Sequence, residues 1–372
     1  MKVLTLVGTR PEIIKLSCVM PELDRATQHV LVHTGQNYDY ELNEIFFEGL
    51  GLRKPDHFLN AAGASAAQTI ANVIAKADEV LAAERPDAFL VLGDTNSCLA
   101  AIAAKRRRIP IFHMEAGNRC FDERVPEEVN RRIVDHTSDI NLVYTEHARR
   151  YLIAEGIRPE TILKTGSPMK QVLEKNKRAI EASKVLKTLG LERGKYFTVS
   201  SHREENVDYE SRFADLLESL AALRAQYNLP VVVTTHPRTR KRLEALGSKA
   251  PADIRFLAPL GFADYIQLQK SAFCVLSDSG TLTEEASILG FAAVMIREAH
   301  ERPEGMDEGT VIMAGTRPQG VLEAVKAASE RFARSGRTWR IAPDYDVDDV
   351  ASKVVNAILG YTDYVNRTVW RK

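Results

Sequence analysis

The sequence predicts an α/β protein of two domains, each a parallel β-sheet covered by helices on both faces. Three observations carry that expectation. Short β-branched apolar runs alternate with longer helical stretches, and such βαβ alternation builds parallel sheets. After Gly166 the alternation stops in a charged, strand-poor segment, "KQVLEKNKRAIEASKVLKTLGLERGK", and then resumes. A length of 372 residues is enough for two such cores.

Taken in order, the first half reads as strands "VLTLV", "HVLVHT", "AFLVLG", "IPIFHM", "INLVYT" and "TILKTG". Helical periodicity lies between them, notably over 11–25, 67–84 and 126–137. The second half reads as strands "YFTVSS", "PVVVTTH", "IRFLAP", "FCVLSD" and "AAVMIRE". The expected division is a first domain over 1–170 and a second over 171–358, with 359–372 packing back on the first. Two Rossmann-like domains of this kind bind ligands in a central cleft, at the carboxyl ends of their strands.

Bulk properties narrow the function. Lys plus Arg equals Asp plus Glu at 50 each, so no general field favours nucleic acid or an anionic membrane. An apolar content of 45% with 27% charged residues fits a soluble globular protein. The opening "MKVLTLVGTRPE" is too briefly apolar for a signal peptide or membrane span, and a cytoplasmic location is expected. Cys18, Cys98, Cys120 and Cys274 lack CxxC spacing and read as reduced thiols. No P-loop, GxGxxG, HExxH or GxSxG is present. The acidic "DYDVDD" lacks the glycine and closing glutamate of a calcium loop and reads as helix capping.

Polar clusters fall at strand ends. "VGTRPEIIK" stops a strand at Gly8 and opens a helix at Pro11. Its backbone N–H groups and Arg10 suit a phosphate, but on these residues alone an ordinary tight turn with surface Arg10 and Lys15 is the favoured account. "VLGDTNS" puts Asp94 after an apolar strand, where an N-cap is the plain structural account. "FHMEAGNR" puts Glu115 after another, with Arg119 as its structural partner. "RVPEEVNRR" starts a helix in which Glu127 and Glu128 complement the dipole. Three carboxylates at such positions in one domain suit divided general-base and general-acid duties.

In the second half, "TVSSHREEN" offers His202 and Arg203 for a phosphate or leaving group. "VTTHPRTRKR", with His236 and Arg238, reads as a solvated basic helix start. Arg302 lies in a Gly/Pro-bearing loop able to close over a ligand. In "SDSGTLTEEAS", Thr281 and Glu284 have capping-box spacing. Ser279 and the Gly280 N–H suit a phosphate, and Glu285, on the edge of the helix's buried stripe, suits a ribose diol.

In their order and spacing, "GTRPEIIK", "GD", "EAG", "PEE", "SHREEN", "SDSGTLTEEAS" and "ERPEG" resemble the non-hydrolysing UDP-N-acetylglucosamine 2-epimerase family over nearly the whole chain. The resemblance implies a glycosyltransferase-B-type fold, a UDP-sugar substrate, a homodimer, and no metal or NAD cofactor. It implies that Arg10, His202, Ser279, Gly280 and Arg302 face the nucleotide or diphosphate and Glu285 the ribose. Asp94, Glu115 and Glu127 match the family's catalytic carboxylates; Lys15 matches a further active-site residue, and His202 suits the leaving group. Two segments, "GQNYDYELNEIFF" and "NRCFDERV", depart from the best-known UDP-N-acetylglucosamine enzymes. In style they are similar to the branch converting UDP-2-acetamido-2,6-dideoxy-L-talose to UDP-N-acetyl-L-fucosamine for capsule or O-antigen synthesis. UDP-N-acetylglucosamine 2-epimerisation is the alternative; a UDP-sugar glycosyltransferase or UDP-sugar binding protein is more distant.

Overall fold

The computed structural model describes residues 1–36, 40–201, 210–235, 239, 243 and 254–372, excluding the side chains of 40–44. The chain forms two compact units, Met1–Lys175 with Pro343–Lys372, and Asn176–Ala342.

In the first unit the strands are β1 (Lys2–Val7), β2 (Gln28–His33), β3 (His57–Phe58), β4 (Ala88–Leu92), β5 (Ile111–Ala116), β6 (Ile140–Val143) and β7 (Ile162–Lys164). They form one sheet in the order β3-β2-β1-β4-β5-β6-β7, with every pairing parallel. All of β4 and β6 is buried, as a sheet covered on both faces requires. Strand order reverses between β1 and β4, so their carboxyl ends form a topological switch point. The edge strand β3 has two residues, too few for any periodic signal.

One expected helix, over 11–25, is two: Arg10–Leu16 and Val19–Ala26. Pro21 has no N–H to offer the Ser17 carbonyl, so the helical ladder cannot run through. That carbonyl instead accepts from Lys175 Nζ at 3.0 Å. The same bond holds the Met169–Lys175 helix to the first unit, which therefore ends at 175 rather than 170. The chain returns at Pro343, earlier than the expected 359. Asp344 Oδ2 accepts the Glu146 N–H at 3.0 Å, and Asp346 binds Lys170 Nζ at 2.6 Å. Asp349 caps the Val350–Val365 helix through the Ser352 N–H at 3.1 Å. The acidic run thus splits between pinning and capping. Beyond that helix, Lys105 Nζ lies 5.2 Å from the Trp370 ring centroid.

Strands β8 (Phe197–Ser201), β9 (Val231–Thr235), β10 (Ile254–Leu257), β11 (Cys274–Ser277), β12 (Ala293–Met295) and β13 (Ile312–Met313) form the second sheet. Its order is β10-β9-β8-β11-β12-β13, again all parallel. The switch point here lies between β8 and β11. Phe197, Val199, Val231, Leu276 and Val294 centre the core of this unit. All four cysteines are free. Among the described residues no helix is long and apolar enough to cross a membrane.

Candidate active site

At the first switch point, β1 ends at Gly8. A Cβ there would stand 2.0 Å from Ser97 Oγ and 2.2 Å from Thr34 Oγ1, so only glycine lets the turn come this close. Arg10 and Pro11 open the next helix, and the Arg10 guanidinium lies 5.6 Å from the Phe46 ring centroid. One turn on, buried Lys15 places Nζ 2.5 Å from Glu115 Oε2 and 5.8 Å from the Tyr144 ring centroid. Lys15 is therefore not the surface residue of an ordinary turn.

Glu115 sits where the β5–β6 register shifts and adopts φ +61°, a left-handed conformation that disfavours side chains other than glycine. Strain of that kind collects at functional sites. Its expected structural partner, Arg119, is engaged elsewhere. That guanidinium reaches Asp135 at 2.7 Å and Glu155 at 2.6–2.7 Å; Gly117, at φ +79°, makes a turn here in place of the helix that would have set Arg119 beside Glu115.

Asp94 does not cap a helix with its side chain. Thr95 caps the 3-10 turn Asn96–Ala100, accepting the Ser97 N–H at 3.3 Å. The Asp94 carboxylate instead receives Arg131 Nε at 3.0 Å and Nη2 at 2.6 Å. Arg131 also donates to Glu128 at 2.9 Å. Fully buried Glu128 further accepts the N–H groups of Cys120 and Phe121, which ties "NRCFDERV" to the Pro126–Thr137 helix. Glu128 is thus the structural member of the pair. Glu127, partly exposed, lies four residues before Arg131 on the same helical face.

Sequence reasoning passed over four residues here. Arg131 was discoverable at helical spacing from Glu127. Glu12 shares capping-box spacing with Thr9, accepts the Thr9 N–H at 3.0 Å, and also binds the Gly8 N–H and the Thr95 hydroxyl. Burial pushes its carboxyl up to about 7 against those hydrogen bonds, and the Asp94 charge adds to the rise. His113 and Asp135, fully buried, had no local signal. His113 Nε2 meets the Gly93 carbonyl at 2.7 Å, and Nδ1 stands 2.9 Å from Asp135, close but not aligned as a hydrogen bond. Asp135 accepts the Gly117 N–H at 3.1 Å. Burial alone would raise the Asp135 carboxyl; His113 and Arg119 outweigh it and hold the group below its ordinary value.

In the second unit, Ser201 at the end of β8 donates to buried Asp278 at 2.8 Å, joining the two strand ends at the switch point. The helix Thr281–Leu289 follows, with Gly280 as N-cap. This overturns the expected Thr281–Glu284 capping box, because Glu284 falls one position beyond the box's last place. Glu284 is fully buried, and its carboxylate lies 3.5 Å from Arg302 Nε. Arg302 is accordingly buried and starts the Pro303–Asp307 helix rather than lying open in a loop. Ser279 shares a 2.8 Å hydrogen bond with Thr281. A Cβ on Gly280 would come 2.8 Å from Glu301 Oε1. Glu285, 5% exposed, accepts from Gln269 Nε2 at 2.8 Å. His202, Arg203, His236, Arg238 and residues 37–39 of "QNYDYEL" lie outside the described residues. Among the described residues no His, Cys, Asp and Glu side chains are grouped to hold a metal ion.

The fold and site define a two-unit α/β enzyme. Acid–base side chains gather at one switch point, and the other carries a helix mouth with buried Glu–Arg pairing. A family profile described as UDP-N-acetylglucosamine 2-epimerase matches residues 21–359. The chain belongs to that family and is an epimerase. A UDP-N-acetylglucosamine 2-epimerase structure from Rickettsia bellii is 55% identical, with TM-score 0.93 and 100% of both chains covered. The Methanocaldococcus jannaschii UDP-GlcNAc 2-epimerase, solved with UDP-GlcNAc and UDP, is 32% identical with TM-score 0.90, covering 97% of this chain and 100% of that one. A UDP-2,3-diacetamido-2,3-dideoxy-D-glucuronate 2-epimerase of Pseudomonas aeruginosa is 35% identical over 335 residues, 88% of this chain and 92% of its own.

Proposed function

We propose that this chain inverts C2 of a UDP-activated N-acetylhexosamine without hydrolysing it, by eliminating UDP and adding it back. The observation that carries the reading is the gathering of Lys15–Glu115 and Asp94–Arg131 at one switch point. No carbonyl stands beside C2 to acidify its proton. Breaking the C1–O bond as that proton leaves solves the problem: the C2–H pair forms the C1–C2 double bond, and the C1–O pair departs with UDP. The 2-acetamidoglycal then takes a proton on its opposite face and UDP returns to C1.

Asp94, Glu115 and Glu127 are the groups proposed to remove and return the proton. Lys15 holds Glu115 in place, and Arg131 holds Asp94. In the second unit, Ser279, the Gly280 N–H and Arg302 are proposed to hold the diphosphate, with Glu285 on the ribose. Arg10 and His202 are proposed for the leaving group, where fixed donors stabilise developing charge. No metal or further cofactor enters this reading, and a homodimer is its expected assembly.

The sugar proposed is the 6-deoxy-L-talo one, giving UDP-N-acetyl-L-fucosamine for capsule or O-antigen synthesis, supported by "QNYDYEL" and "NRCFDERV". A second reading, UDP-N-acetylglucosamine to UDP-N-acetylmannosamine, is favoured by the names of the Rickettsia and Methanocaldococcus relatives. NMR of purified enzyme with each UDP-sugar separates them. Higher kcat/KM for the L-talo substrate is expected; higher kcat/KM for UDP-N-acetylglucosamine overturns the sugar and leaves the epimerisation standing.

A further inference from the structure

Glu12 is a buried carboxylate that the reaction outlined above does not use. Its Oε2 accepts the N–H groups of Gly8 at 2.5 Å and Thr9 at 3.0 Å, and its Oε1 accepts the Thr95 hydroxyl. All three donors are neutral, whereas buried carboxylates are ordinarily paired with a cation. Holding the start of the helix needs no charge, since glutamine fills this position of a capping box equally well. What glutamine lacks is an acceptor-only group able to hold donors from both turns at once.

We infer that Glu12 is a positioning residue of the epimerisation, its carboxylate tying the Gly8–Arg10 turn to the Asp94–Thr95 turn. The inference rests on the reaction proposed above. It explains why a charge is kept where it opposes folding. As an anion, Glu12 receives the Thr95 proton while Thr95 Oγ1 receives the Ser97 N–H at 3.3 Å. Once protonated, Glu12 must itself donate, which reverses its bond with Thr95 and loosens the peptide that follows Asp94.

Among the described residues, the charged and titratable groups near it are Asp94 and Cys98 from the neighbouring turn and Arg10 and Lys15 on its own helix, with Glu115 of β5 also acting on Cys98. Lys15 is engaged by Glu115. With its carboxyl pushed up to about 7, Glu12 changes state near neutral pH. The folded value lies above the ordinary glutamate value of 4.5, so this group's stabilisation is present below that value and lost as pH rises through about 7. Above neutrality the anion therefore opposes folding, and Glu12→Gln removes that opposition.

The test compares wild type with Glu12→Gln in kcat and KM across about pH 6 to 9, in thermal midpoint above neutrality, and in C2 deuterium uptake. Wild-type kcat is expected to fall on the acid side with a midpoint near 7. Glu12→Gln should lose that limb, with kcat about ten- to a hundred-fold lower and KM within about threefold. Its thermal midpoint above neutrality should be no lower than wild type. A second pair guards against misfolding: Thr95→Val should show the same loss of kcat, and Thr95→Ser should restore it. Wild-type kcat and an unchanged acid limb in Glu12→Gln overturn the inference alone. A lowered midpoint that accounts for the lost activity also overturns it, by making Glu12 merely structural. No C2 deuterium uptake by the wild type overturns the reaction itself, and this inference with it.

Discussion

Asp94→Asn, Glu115→Gln and Glu127→Gln are each expected to lower kcat by about two to four orders of magnitude, the range for removing a required acid or base. Each amide keeps the shape of its carboxylate and cannot move a proton. UDP affinity should be largely kept, because none of the three is assigned to the nucleotide. The variants differ in side effects. In Asp94→Asn, Arg131 retains Glu128, and Glu127 is partly exposed, so both should fold as wild type does. Glu115→Gln removes the carboxylate from Lys15, which is 3% exposed. Leaving a buried ammonium short of its counter-charge costs about 3 kcal/mol, so this variant should also be less stable. Steady-state kinetics with calorimetry of UDP binding checks the set. Any variant that keeps wild-type kcat removes its residue from the proton transfers.

Asp135→Asn is expected to destabilise the first unit by about 3 kcal/mol, the scale for removing one partner of a buried ion pair. Exposed pairs such as Arg25–Glu22 contribute far less by comparison, because water screens them. Asp135 is fully buried and serves Arg119, the Gly117 N–H and His113 together. His113 continues to the Gly93 carbonyl. One substitution therefore loosens the turns behind both Asp94 and Glu115, and kcat should fall along with stability. Because the folded carboxyl lies below its ordinary value of 3.8, the stabilisation is present above that value and lost as pH falls through the depressed one. The gap between wild type and variant in denaturant titrations should be full at neutral pH and shrink in strong acid. A pH-independent gap contradicts this account.

How much of this was legible follows from the range of each signal. The apolar runs of β4, β5 and β11 are buried on both faces, and such strands announce themselves without any partner. Two-residue β3 and β13 have no period to detect. The Pro21 break was readable from its missing N–H, yet it hides inside a continuous amphipathic pattern. Capping-box spacing shows the limit most directly. Thr9 and Glu12 have it, and Glu12 fills the role. Thr281 and Glu284 have it too, but the helix starts one residue earlier, at a Gly280 cap. Glu284 then turns inward to Arg302, a partner 18 residues away that no local pattern supplies. His113 and Asp135 were silent for the same reason. Their roles arise only when β5 and the Pro126–Thr137 helix pack together.

Whether UDP leaves and returns while the C2 proton is exchanged is decided by turnover in deuterated water with an oxygen-18 label between C1 and phosphorus. Elimination and re-addition give product carrying deuterium at C2 and the label scrambled into non-bridging positions of the diphosphate. Epimerised product without deuterium at C2, or with the label wholly retained in the bridge, would contradict it.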